Sequence, residues 1–75
     1  MNATYEVLMI DGIEMTLTRS GNVSWCSDWG LGIWRLKTLG YLQTRDGGPC
    51  TYGHISFFLT PKGEQTATRR MQQVV

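Results

Sequence analysis

The side chains that could do chemistry are few and widely spaced. One histidine, His54, falls in a stretch that alternates like a strand. No serine, cysteine or carboxylate stands at a local spacing that would complete a nucleophilic arrangement with it. His54 therefore reads as an ordinary polar strand position, and the chain is expected not to be an enzyme. Cys26 and Cys50 lack the closely spaced donors that hold a metal, and two cysteines are too few for a disulfide framework. Both are read as free thiols, with a Cys26–Cys50 bridge left open. Gly30 and Gly32 form a GxG without the third glycine or the preceding strand of a nucleotide fingerprint. They fit close approach to a helix instead, and no cofactor is implied. Met9, Met15 and Met71 read as core filler.

What remains is charge and aromatic surface. Seven Lys and Arg stand against six Asp and Glu, a net charge of +1, which is low for a chain that binds a polyanion. The distribution is less even. Glu6, Asp11 and Glu14 lie in the first fifteen positions. From Ser27 onward Arg35, Lys37, Arg45, Lys62, Arg69 and Arg70 meet only Asp28, Asp46 and Glu64, an excess of +3 compatible with one basic face. A hydrophobic share of 41% and a charged share of 17% suit a globular chain. Seventy-five residues make one domain, 1–75. A chain of that size buries only about 60% of its unfolded surface, so pairing with a second copy would help. Eight aromatics in so short a chain suggest that some apolar surface lies at an interface. No apolar run approaches the ~20 residues of a membrane span. The start has no signal-peptide pattern, so a cytoplasmic location without a membrane partner is expected.

Several elements must position these groups. Ser27 or Asp28 is expected to cap a helix running to Gly40, with Ile33, Leu36, Leu39 and Leu42 as its buried stripe continuing into a strand. Gly40 is where only a residue without Cβ enters the left-handed region easily. Tyr41–Thr44 reads as a strand, Asp46-Gly47-Gly48-Pro49 as a turn cluster, and His54–Leu59 as a strand with Ile55, Phe57 and Leu59 on one face. Thr60 as N-cap and Pro61 at the first helical position open a second helix, which is expected to continue through the tail with Arg69 and Arg70 on its solvent side. Earlier, Tyr5–Ile10 reads as helix or strand, Asp11-Gly12 as a hairpin turn, and Ile13–Thr18 as a strand. Ser20-Gly21-Asn22 is a turn, and Val23–Trp25 a third short strand or the entry to a brief helix.

Leu36-Lys37-Thr38-Leu39-Gly40-Tyr41-Leu42 and Leu59-Thr60-Pro61-Lys62-Gly63 resemble the end of the recognition helix and the end of the wing in MarR-like and PadR-like regulators. The resemblance covers roughly half the chain. It implies an α+β, winged-helix-like domain with a helix-turn-helix reader: a recognition-type helix, a two-stranded wing, a C-terminal helix, and an N-terminal strand or hairpin. Between Gly21 and Ser27 there is little room for the usual supporting helix, which is expected to be vestigial or replaced by the N-terminal strands. The implied function is sequence-dependent binding of double-stranded DNA by a small transcription regulator acting as a dimer. The resemblance would place Arg35 on guanine, with Lys37 and Thr38 beside it on the exposed helix face. Arg45, Thr51, Tyr52 and His54 would lie along the wing near phosphates.

Trp29, Leu31 and Trp34 fit a groove-reading helix poorly, since tryptophan can donate only one hydrogen bond. Trp29 and Trp34 read either as core residues or as part of an exposed aromatic patch. In the second case Leu31, Trp34 and Phe58 would bind a partner protein, and the chain would be a protein-interaction module, an inhibitor or accessory protein of phage type.

Overall fold

Asp11 and Gly12 set the first turn of the chain. Both have positive φ, 52° and 79°, the pair of left-handed values that a two-residue type I′ hairpin requires. They join β1 (Ala3–Ile10) to β2 (Ile13–Leu17), with Leu8 opposite Met15 and Ile10 opposite Ile13. Gly21, at φ 90°, serves the next turn, which leads to β3 (Val23–Cys26). The computed structural model describes residues 3–46 and 55–74. The alternatives for Tyr5–Ile10 and Val23–Trp25 both resolve to strand.

The short segment Ser27–Gly30 does not begin the helix. Asp28 accepts from the Gly30 amide at 3.0 Å through its carboxylate, a local turn that competes with helix. Its backbone carbonyl accepts from Ile33 N–H at 3.1 Å. The helix α1 (Leu31–Thr38) starts only afterwards, with Gly30 as N-cap and no side-chain cap. Its end is a full Schellman motif: Tyr41 N–H donates to Leu36 O at 2.9 Å and Gly40 N–H to Lys37 O at 3.0 Å, around Gly40 at φ 88°. From there β4 (Leu42–Asp46) pairs antiparallel with β5 (Ile55–Leu59). Thr60 accepts from the Gly63 amide at 3.1 Å and caps α2 (Pro61–Thr66).

The winged-helix expectation is overturned at this point. α2 is six residues long and stops at Thr66; Ala67 is extended, and Thr68–Val74 forms a strand, β6. It pairs with β1 along its whole length, from Thr68 opposite Met9 to Val74 opposite Ala3. The result is a four-stranded antiparallel sheet in the order β3-β2-β1-β6, with the β4–β5 hairpin as a second, two-stranded sheet. The chain is β-rich, without the C-terminal helix and with an eight-residue α1 in place of a recognition helix. The physical reason lies in β1, whose second edge needed a hydrogen-bonding partner. The segment after Thr66 offers a helix only Ala67, Met71 and Val74 as an apolar stripe, too little to oppose that demand.

One face of the four-stranded sheet carries Leu8, Ile10, Ile13, Met15 and Cys26 into a single core with Ile33 and Leu36 of α1 and Leu42 and Phe57 of the hairpin. Leu39, expected in the stripe, lies past the last helical turn and is 43% exposed. Of the three methionines read as core filler only Met15 is buried; Met9 and Met71 are exposed. The opposite sheet face carries Tyr5, Met9 and Trp25, also exposed. There Arg70 pairs with Glu14 across the intervening β1.

Candidate interaction face

α1 buries Gly32, Ile33 and Leu36, so the positions between them must face outward. Leu31, Trp34, Arg35 and Thr38 follow at intervals of three and four along that outer side. Leu31 is 90% exposed and Trp34 44% exposed. Trp34 is not loose, because its ring meets Phe57 edge-on with centroids 5.2 Å apart. Trp29, in the loop before α1, is 50% exposed. Neither tryptophan belongs to the buried core, which corrects the core reading of both. A depression of about 570 Å³ runs along this side between Ile13, Asp28 and the outer residues of α1.

Charge around this face is largely tied down. Arg35 reaches Asp11 in the β1–β2 turn at 2.5 Å and anchors α1 to that turn. The Thr38 hydroxyl donates to Trp34 O at 3.0 Å. Arg69 pairs with Glu6 at 2.5 Å and also with Glu64. Lys37, Arg45 and Lys62 form no ion pair among the described residues. Each lies instead over a ring: Lys37 over Trp34 at 5.9 Å, Arg45 over Phe58 at 4.4 Å, and Lys62 over Tyr41 at 5.1 Å. Lys62 also donates to Leu39 O at 2.8 Å, where the end of α1 leaves free carbonyls.

The residues expected to act together are thus partly separated. Leu31, Trp34, Arg35, Lys37 and Thr38 share one end of the molecule, on or beside the outer side of α1. Phe58 does not join Leu31 and Trp34. It pairs with Gln43, on the side of the hairpin opposite Phe57, the ring that Trp34 touches. Arg45 sits with Phe58 on that other side. Thr51, Tyr52 and His54 lie outside the described residues, as does Cys50. Sequence reasoning missed Lys62, whose position follows from the Thr60–Pro61 turn. It also missed Asp11, read only as a turn residue before it proved to hold Arg35.

Cys26 is a buried free thiol. Burial pushes its pKa up, against the hydrogen bond to Asp28 O, with the Asp28 charge adding to the rise. That keeps it protonated and unreactive rather than nucleophilic. Among the described residues no group of His, Cys, Asp or Glu is arranged to hold a metal ion. Among the described residues no helix is long and apolar enough to cross a membrane. Compared with known proteins, the chain matches no family model, no curated protein and no solved structure.

Proposed function

We propose that this chain is a protein-interaction module that holds a partner protein against the outer side of α1. The observation that carries the reading is Leu31, which is 90% exposed one helical turn from the half-exposed ring of Trp34. A single exposed leucine is ordinary, but a leucine and a tryptophan lining one depression make an anchor site of the kind interfaces use. Lys37 at its border forms no ion pair among the described residues. The partner surface that fits is therefore an apolar side chain flanked by a carboxylate.

A selection of displayed random peptides on the purified chain tests this. The expected outcome is enrichment of sequences pairing an aromatic or aliphatic residue with Asp or Glu, and loss of their binding to Leu31→Glu. Peptides that bind Leu31→Glu and the parent chain equally would remove the reading.

A second reading, nucleic-acid binding by a small regulator, is favoured by the three cations held over rings, Lys37, Arg45 and Lys62. Cations beside aromatic faces are what nucleic-acid surfaces engage by phosphate contact and stacking. Arg35 contributes less, since Asp11 already neutralises it. An electrophoretic shift assay with single- and double-stranded DNA at low and high salt decides it. Retention at low salt that disappears as salt rises is expected; no retention at low salt would dismiss it.

A further inference from the structure

β6 is the outer strand of the four-stranded sheet, with β1 on one side and no described strand on the other. The far edge is different, because β3 lies against β5 through the bridge between Asn22 and Phe58. Sheet edges in soluble proteins are normally blunted by a bulge, a proline or charge. β6 has neither bulge nor proline, and the charge of its two arginines is offset by ion pairs within the chain. Its seven residues, TRRMQQV, contain no proline and pair with β1 without a register shift. Both arginines lean inward: Arg69 to Glu6 and Glu64, and Arg70 to Glu14 beyond β1. Next to them Met71 is left 64% exposed.

We propose that two copies of this chain join through their β6 strands, antiparallel, about a two-fold axis through Met71. In an antiparallel pair related by a two-fold axis perpendicular to the sheet, facing residues lie on the same sheet face, so the axis must pass through a residue rather than between two. Centring it on Met71 uses the whole strand. Thr68 then faces Val74 of the second copy, Arg69 faces Gln73, and Arg70 faces Gln72. No like charges oppose each other, and each arginine meets an amide able to accept from it. Moving the axis to Arg70 would set Arg70 against its own copy and would shorten the ladder. Moving it to Gln72 also shortens the ladder within β6 and sets Arg70 against Val74. The strand is thus self-complementary in one register. The four-stranded sheet would continue into its copy as one eight-stranded sheet, by the strand addition that open edges support. Pairing through β6 is independent of what binds α1.

Sedimentation velocity on the full chain over a concentration series tests the proposal. The weight-average mass is expected to rise from 8.5 kDa towards twice that value. Two substitutions at Gln73, exposed and opposite Thr4 within the chain, should act in opposite directions. Gln73→Arg sets two pairs of like charges face to face and should weaken association about tenfold, while Gln73→Glu should strengthen it by a similar factor. Both variants should keep the far-ultraviolet circular dichroism of the parent. A parent chain that stays monomeric up to millimolar concentration would overturn the proposal. So would a dimer that neither Gln73 substitution affects, since it must then use another surface.

Discussion

Gly63→Ala puts one methyl group where the packing of α2 leaves no room. A Cβ at Gly63 would lie 2.2 Å from Tyr41 O and 2.8 Å from a methyl of Leu59. The Leu59 methyl can rotate aside. The carbonyl is less free, because it accepts from Thr60 N–H at 3.1 Å and follows directly on the Schellman turn. Relief requires the first turn of α2 to withdraw by about 1 Å, which stretches that hydrogen bond, worth about 1 kcal/mol. Overpacking adds about 1–3 kcal/mol. Against this, alanine is favoured over glycine inside a helix by up to about 1 kcal/mol. The net expectation is a loss of about 1–3 kcal/mol. A chain of this length holds roughly 4–11 kcal/mol in all, and its melting midpoint should fall by roughly 5–20 °C. Urea unfolding followed by circular dichroism measures the loss directly, provided the slope with denaturant is unchanged. A Gly63→Ala protein as stable as the parent would refute the account of how α2 is seated.

Thr60→Ala removes the acceptor for Gly63 N–H and the donor to Gly40 O, the latter at 2.5 Å. Thermal unfolding should show a loss of about 1–2 kcal/mol that Thr60→Ser largely restores. Leu31→Glu should leave stability within about 0.5 kcal/mol of the parent, because the residue it replaces touches mainly water. Trp34→Ala should cost more than Leu31→Glu, because it removes the edge contact with Phe57. Cys26 should resist alkylation in the folded chain and react once urea unfolds it, as peptide mapping of each cysteine would show. Since the folded-state pKa of Cys26 is raised, its contribution to stability is complete below the unfolded-thiol value of about 8.5. That contribution is lost as pH climbs from there through the folded value, and Cys26→Ala should flatten the decline.

Local backbone chemistry made several turns legible in the sequence. Asp11-Gly12, Gly40 and Thr60-Pro61 each impose a conformation through their own side chains or lack of one, and all three act as expected. The fate of Thr68–Val74 was not legible in the same way. A strand there depends on the open edge of β1, far away in sequence, and no local preference announces it. The winged-helix likeness failed for that reason: the matched residues describe two turns, while the sheet between the chain's ends decides the architecture. The candidate face was half legible. Helical spacing put Leu31, Trp34 and Arg35 on one side, but only the folded chain reveals Asp11 beneath Arg35 and separates Phe58 from Trp34.

β1 gains its two neighbours at very different moments. β2 follows after a two-residue turn and can zip up at once, whereas β6 must return from the other extreme of the chain. Closing so long a loop is entropically slow. Before it closes, the hydrophobic strand ATYEVLMI stands with one side open. Refolding yield should therefore depend on dilution, because crowded molecules can capture each other's β1 in that interval.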